Sequence, residues 1–79
     1  MSDARPPLRL GLVGCGRLAE LGYVAAARAA AGVEIVAVTD PDRARRGLVA
    51  GKLGASGHAR LDQLLAAGPL DGIVICTPP

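Results

Sequence analysis

Residues 8–19 read LRLGLVGCGRLA, a short apolar run followed by two glycines spaced one residue apart. The run Leu8–Val13 is nearly continuous in apolar character, which is typical of a strand covered on both faces in a parallel sheet. The glycines mark a sharp turn, and Arg17–Ala31, which is rich in alanine and contains no proline, predicts a helix. A strand, a glycine turn and a helix in this order predict the start of a parallel β-α-β unit.

The rest of the chain continues this alternation of strands and helices. Val33–Thr39 predicts a second strand, Gly72–Thr77 predicts the last one, and His58–Ala59 is a candidate for a very short strand between them. Helices are predicted over Arg43–Leu53 and Leu61–Ala67. The predicted fold class is therefore α/β, a Rossmann-type parallel sheet of about four strands with flanking helices. Strand one is expected in the middle, with strand two on one side and the last strand on the other.

This layout leaves the last strand at an edge where a doubly wound sheet normally continues. An apolar edge without a partner strand is an aggregation hazard, and 79 residues is short for a domain, since single domains cluster near about 100–150 residues. We therefore expect residues 1–7 to form a flexible, proline-containing lead-in and residues 8–79 to form an incomplete Rossmann domain. We expect the chain to be the front piece of a longer protein or gene.

The composition excludes several function classes. Hydrophobic residues make up 51% of the chain and charged residues 20%, which excludes a disordered polar tail. One Tyr with no Phe or Trp argues against a platform that stacks nucleic-acid bases, and a net charge of +2 argues against a DNA-coating protein or a polybasic membrane anchor. Residues 1–7 lack signal-peptide character, and Arg28 and Glu34 interrupt the longest apolar region. We expect a cytoplasmic protein without a membrane or nucleic-acid partner.

The two glycines belong to the pattern Gly14-x-Gly16-x-x-Ala19, the dinucleotide-binding fingerprint in its required context between a strand and a helix. Gly14 permits the tight turn, Gly16 permits close approach of a pyrophosphate to the backbone, and Ala19 is small enough for the helix to pack on the sheet. The N–H groups of Arg17 and Leu18 would then point at the phosphates, assisted by the helix dipole. An ordinary glycine turn is the alternative, but the order of the surrounding elements favours dinucleotide binding.

Asp40 lies at the end of the second predicted strand, 24 positions after Gly16. The fingerprint expects an acidic residue about 20 positions on, where it accepts hydrogen bonds from the adenosine ribose. A carboxylate at this place repels a 2′-phosphate, so Asp40 favours NAD over NADP as the cofactor. In the alternative interpretation, Asp40 and Pro41 are simply the N-cap and first residue of the second helix.

Three arginines follow Asp40 on the second predicted helix. Arg43 is a candidate contact for a 2′-phosphate, which keeps NADP open as the alternative cofactor. For Arg45 and Arg46 we favour a solvated helix face, which is the common environment of charged residues on a helix.

The two cysteines and the single histidine carry weaker signals. Cys15 lies inside the fingerprint, where a helix N-terminus favours a reactive thiolate; the alternative is a small filler whose backbone makes the contact. Cys76 is expected to be a buried residue of the last strand, beside strand one, and we expect both cysteines to remain thiols. His58 has no partner at metal-ligand spacing, so no metal site is predicted.

Three stretches carry a family resemblance. Residues 9–19 read RLGLVGCGRLA, residues 38–42 read VTDPD, and residues 61–65 and 70–79 read LDQLL and LDGIVICTPP. In this order and spacing they resemble the Gfo/Idh/MocA family, named after glucose–fructose oxidoreductase and inositol dehydrogenase. The resemblance covers nearly the whole chain, from about Leu8 to Pro79.

The resemblance implies an N-terminal NAD(P)-binding Rossmann domain followed by a C-terminal α/β substrate domain. Family members oxidise or reduce sugars, cyclitols and related alcohols by hydride transfer, often as homo-oligomers. The resemblance places Gly14, Gly16 and Ala19 in the phosphate loop and Asp40 at the ribose. It also places Thr77, Pro78 and Pro79 along the dinucleotide near its nicotinamide end.

One part of the family pattern lies beyond the chain. In the family the T-P-P segment is followed by a His and later by an E-K-P motif whose Lys serves catalysis, and both positions fall after Pro79. We therefore predict no catalytic residue and no activity for this chain alone. Two alternatives stay open, a non-catalytic nucleotide-binding module and a truncated, inactive fragment.

Overall fold

The computed structural model describes residues 6–77. Most of the predicted lead-in over residues 1–7 lies outside this range, and so do Pro78 and Pro79, two of the predicted cofactor contacts. Within residues 6–77, no helix combines the length and the apolar character needed to cross a membrane.

Four parallel strands form one sheet in the order β3-β2-β1-β4. The strands are β1 (Leu8–Val13), β2 (Val33–Thr39), β3 (Ser56–His58) and β4 (Gly72–Ile75). This order confirms the predicted layout, with β1 between β2 and β4. Because all strands are parallel, the loops that leave their carboxyl ends meet at one edge of the sheet, where α/β folds bind ligands.

Three helical regions connect the strands. The first contains a π-helical segment, Ala19–Tyr23, that continues into α1 (Val24–Ala29); the others are α2 (Arg43–Leu53) and α3 (Leu61–Ala66). The bounds of α2 match the prediction, whereas α1 ends two residues before the predicted end at Ala31. The π-helical segment has no signal in the helix-forming composition, which does not distinguish one helical hydrogen-bond register from another.

The helices cover the two faces of the sheet. Successive residues of a strand point to opposite faces. Leu12 belongs to a buried cluster with Val24 of α1 and Val49 of α2, so these two helices lie on one face. Gly11 faces the other side, where a Cβ atom would lie 2.9 Å from Cδ2 of Leu64 in α3. Gly11 therefore allows α3 to pack closely against β1.

A bulge adjusts the register of the two central strands. The pairing of β1 with β2 shifts after Leu10 and Ile35, which leaves Val36 as an extra residue in β2. Ile35 and Val38 consequently both belong to the buried cluster beneath α1 and α2, although a regular strand would turn them to opposite faces.

Two strand boundaries differ from the predicted ones. The short strand β3 spans Ser56–His58, two residues earlier at its start than the candidate strand His58–Ala59, because it pairs with the end of β2. The last strand ends at Ile75, two residues before the predicted end at Thr77. The N–H of Cys76 nevertheless donates to the carbonyl of Val13 at 2.7 Å, so the chain stays beside β1 past the end of β4.

Gly14 is required by this close approach of the chain beyond β4. Its φ of +101° lies in a region that side chains disfavour, and a Cβ atom would lie 2.9 Å from the backbone carbon and oxygen of Cys76. Backbone atoms cannot move aside as a flexible side chain does, so the glycine serves the fold whether or not a ligand is bound.

We predict that Gly14→Ala lowers the free energy of unfolding by at least about 1–3 kcal/mol, the cost of strained backbone. The matched control is Gly47→Ala at an exposed position of α2, where a Cβ atom meets nothing within 4 Å. This change is expected to raise the free energy of unfolding by about 0.5–1 kcal/mol. Urea unfolding of the intact protein measures both changes. An unchanged midpoint for Gly14→Ala would contradict the steric role of this glycine.

Candidate functional site

A cleft of about 410 Å³ opens at the carboxyl ends of β1 and β4. It is lined by Gly16, Arg17, Leu18, Tyr23, Ile75, Cys76 and Thr77. The structure thus brings three predicted contacts of the glycine loop and one predicted contact of the T-P-P segment to the same space. This is the edge of the sheet at which α/β folds bind their ligands.

The first half of the glycine loop is bonded to the end of β2. The N–H of Gly14 donates to the carbonyl of Thr39 at 2.9 Å. The N–H of Cys15 donates to the Oδ2 atom of Asp40 at 2.8 Å. The loop after β1 and the acidic residue after β2 are therefore joined directly.

The second half of the loop is held through its carbonyl groups. The guanidinium Nε of Arg45 donates to the carbonyl of Cys15 at 2.9 Å. The N–H of Glu20 donates to the carbonyl of Gly16 at 3.0 Å, which begins the hydrogen bonding of the first helix. These bonds account for two of the loop's carbonyl groups and leave the amides at the start of the helix for another partner.

The amides of Gly16, Arg17 and Leu18 fit an anionic ligand. The first N–H groups of a helix have no acceptor within it, and the helix dipole places about half a positive charge at this end. A Cβ atom built on Gly16 meets nothing within 4 Å, and Gly16, Arg17 and Leu18 are exposed. Open space beside a backbone with free amides allows a diphosphate to approach closely. Ala19 is buried where the helix packs on the sheet.

Asp40 is bonded to backbone on both of its carboxylate oxygens. Besides Oδ2, which accepts from Cys15, Oδ1 accepts from the N–H of Asp42 at 2.8 Å. The N-cap of α2 is Asp42, whose Oδ1 accepts from the N–H groups of Ala44 and Arg45 at 2.9 and 3.2 Å. The alternative that makes Asp40 the N-cap is therefore wrong. A carboxylate has about four lone-pair positions, so Asp40 keeps acceptor capacity beside the loop.

Our expectation of a solvated face for Arg45 and Arg46 is wrong. Arg45 bonds the loop carbonyl of Cys15 and also donates to Oε1 of Glu20 at 2.8 Å. Arg46 donates to the backbone carbonyl of Asp40 at 2.8 Å. Both side chains are only partly exposed and turn toward the site. Arg43, the candidate contact for a 2′-phosphate, is exposed at the first residue of α2.

Glu20 links the first helix to α2. Its Oε2 atom accepts from Nζ of Lys52 at 2.9 Å, and its Oε1 atom accepts from Arg45. The Lys52 ammonium, followed by the Arg45 guanidinium, lowers the pKa of Glu20 from its ordinary value. The sequence analysis missed this group because its members lie 25 and 32 positions apart; the only local signal was an acidic residue in the first turn of a helix.

Cys15 is a buried thiol and not a reactive thiolate. Its side chain has no exposed surface, and its Sγ contacts the carbonyl of Thr39 at 3.7 Å. Burial, followed by the charge of Asp40, raises the pKa of Cys15 to about 11. The structure thus favours the small-filler interpretation over the redox one. Cys15 and Cys76 are both free, as expected.

Comparisons with known proteins identify the family and the fold of the chain. The model of an oxidoreductase family with an NAD-binding Rossmann fold, Gfo/Idh/MocA, matches residues 8–79. The rhizopine catabolism protein MocA of Rhizobium meliloti is 43% identical over 70 residues, which cover 89% of this chain and 22% of that protein. Inositol 2-dehydrogenase of Leifsonia xyli subsp. xyli is 33% identical over 73 residues, which cover 92% of this chain and 22% of that protein.

A solved structure shares the fold. The WlbA dehydrogenase from Chromobacterium violaceum, solved in complex with NADH and UDP-GlcNAcA, matches with a TM-score of 0.83 and 34% identity. The match covers 96% of this chain and 22% of that one. The chain therefore spans about a fifth of the length of these relatives.

The buried Cys15 thiol predicts a pH dependence of stability. Its ordinary pKa is 9.0 and its folded pKa is about 11, so the native state holds the proton more tightly than the unfolded state. The contribution is complete below pH 9 and is lost as the pH rises toward 11. Cys15→Ala removes this dependence, so the difference in unfolding free energy between the two proteins is expected to change across that range. A constant difference in urea unfolding at each pH would show that the thiol titrates normally.

Proposed function

The chain belongs to the Gfo/Idh/MocA oxidoreductase family, as part of its NAD-binding Rossmann domain, and from this we propose that the glycine loop and Asp40 bind the dinucleotide. The observation that carries the proposal is the hydrogen bond of 2.8 Å between the Cys15 amide and the Asp40 carboxylate. It places an acceptor suited to ribose hydroxyls beside amides suited to a diphosphate. An ordinary glycine turn between a strand and a helix does not require a hydrogen bond from its backbone to a carboxylate.

The diphosphate is assigned to the amides of Gly16, Arg17 and Leu18. These groups lie at the start of the first helix, and Gly16 borders the cleft without a side chain to obstruct it. Charge-assisted hydrogen bonds from backbone N–H groups to a phosphate are roughly twice as strong as neutral ones. The backbones of Gly14 and Cys15 support this loop through their bonds to the end of β2.

The adenosine ribose is assigned to Asp40, and this assignment favours NAD. A carboxylate fixed by two backbone amides is positioned to accept hydroxyl hydrogen bonds and repels the extra phosphate of NADP. Arg43 is exposed nearby along the chain and is the candidate for the opposite preference. Among residues of the T-P-P segment, Thr77 lines the cleft and is assigned to the nicotinamide end together with Pro78 and Pro79, which lie outside the described residues.

The parent protein is proposed to transfer a hydride between a nicotinamide cofactor and a sugar, cyclitol or related alcohol. The bound nicotinamide supplies the redox chemistry, and this chain supplies cofactor binding and orientation. The support is the family and two relatives, a protein named inositol 2-dehydrogenase and one solved with NADH and UDP-GlcNAcA. We assign the substrate pocket and the proton-transfer groups to a part of the parent protein outside this chain, since the relatives are about five times as long as the matched region. A cytoplasmic location and a homo-oligomeric parent stay predictions.

Gly16→Ala tests the diphosphate assignment in the intact parent protein. The added methyl occupies space that is open in the protein itself but that a bound diphosphate needs, so affinity for NADH is expected to fall at least about tenfold. The matched control is Gly51→Ala at an exposed position of α2, where an added Cβ atom also meets nothing within 4 Å. This change is expected to leave the affinity for NADH unchanged. NADH fluorescence titration measures both. Equal affinities of Gly16→Ala and the unchanged protein would remove the diphosphate from this loop.

Asp40→Asn tests the ribose assignment and the cofactor preference. The amide keeps one carbonyl acceptor for the backbone but loses the charge, and a charge-assisted hydrogen bond contributes about 1.5–3 kcal/mol net. The dissociation constant for NADH is expected to rise about tenfold or more, while that for NADPH stays equal or falls. Arg43→Ala is the complementary variant. If the unchanged protein prefers NADPH and Arg43→Ala abolishes that preference, NADP is the cofactor and the Asp40 assignment is wrong.

A further inference from the structure

We propose that Arg45 is a positioning residue that sets the affinity for the diphosphate by fixing the orientation of the Cys15–Gly16 peptide. The inference rests on the proposed function, since it concerns the same loop. Arg45 touches the loop backbone from α2, while the predicted diphosphate contacts lie on the cleft side at Gly16, Arg17 and Leu18. It acts through the peptide it holds and is not assigned to the ligand.

The geometry of one peptide unit carries the inference. A trans peptide is planar, so its C=O and N–H bonds point in opposite directions. The Cys15 carbonyl is held toward Arg45 at 2.9 Å, and the N–H of Gly16 in the same unit is therefore directed away from Arg45. If this peptide rotated, a carbonyl oxygen with partial negative charge would replace the amide. Glycine at position 16 offers little resistance to such a rotation, because it lacks a side chain.

The remaining contacts explain why an arginine is suited to this place. Its planar guanidinium donates in fixed directions from more than one nitrogen. Here Nε bonds the Cys15 carbonyl, and Nη2 bonds Glu20 at 2.8 Å. Glu20 is itself held by Lys52 at 2.9 Å. The Arg45 side chain is 30% exposed and that of Glu20 is 17% exposed, so water competes for this pair less than for a fully exposed one.

The test compares a ligand that has a diphosphate with one that lacks it, in the intact parent protein. ADP-ribose binding is measured by calorimetry and adenosine binding by ligand-observed NMR. For Arg45→Ala, the dissociation constant for ADP-ribose is expected to rise about tenfold, whereas that for adenosine is expected to stay within about twofold. The charge-matched control is Arg28→Ala, in the last turn of α1 and exposed, which is expected to change neither value.

Two further variants separate positioning from charge and from folding. Arg45→Lys keeps the charge but not the planar fork, so its affinity for ADP-ribose is expected to lie between those of the unchanged protein and Arg45→Ala. Glu20→Gln keeps Arg45 but weakens its support, and a smaller loss confined to ADP-ribose is expected. If Arg45→Ala fails to fold, the affinities for ADP-ribose and adenosine are compared in Glu20→Gln instead.

The outcomes distinguish this inference from the proposed function. No binding of ADP-ribose to the unchanged protein would overturn the proposed function itself. If the unchanged protein binds ADP-ribose and Arg45→Ala binds it with the same affinity, only the role of Arg45 is overturned. If Arg45→Ala does not fold, the same comparison is made with Glu20→Gln. The role of Arg45 would also be overturned if the affinities for ADP-ribose and adenosine fell equally, since that pattern indicates a general defect. It would likewise be overturned if Arg45→Lys bound ADP-ribose as tightly as the unchanged protein.

Discussion

The hydrogen bond between the Cys15 amide and the Asp40 carboxylate joins the two loops that build the candidate site. It forms only because β1 and β2 are adjacent and parallel, which brings the loops after both strands to one edge. The neighbouring bond from Gly14 to the carbonyl of Thr39 continues the same attachment. A shift of one residue in the pairing of the two strands would separate the carboxylate from the loop, so the strand register sets the geometry of the candidate site.

The two glycines of the fingerprint lack a side chain for different physical reasons. Gly14 has a positive φ and lies against the backbone of Cys76. The packing of the chain after β4 beside β1 therefore requires a glycine at this position even without a ligand. Gly16 lies in open space, so nothing in the described structure explains why it lacks a side chain. The proposed close approach of a diphosphate would explain it. On this proposal, one sequence motif combines a requirement of the fold at Gly14 with a requirement of binding at Gly16.

The charged groups around the loop also divide by role. Asp40, Arg45 and Arg46 each bond backbone atoms of the loop or of the strand end next to it. Among the described residues, no buried side-chain nitrogen or oxygen lacks a hydrogen-bond partner. Arg45 and Arg46 therefore stabilise the backbone around the candidate site, in addition to any effect of their charge on an anionic ligand. Cys15 contributes a small, neutral side chain that fills the space beneath the loop.

The sequence alone determined β1, β2 and α2 to the residue, because apolar runs, glycine turns and helix-forming composition are local signals. It also determined the order of the three main strands, since the handedness of crossover connections leaves few alternatives. Tertiary structure alone decided the bulge at Val36, which depends on the register with β1, and the partners of Arg45, which lie 25 and 30 positions away in the chain. Contacts over such separations arise from packing of whole elements, and no local preference of the residues encodes them.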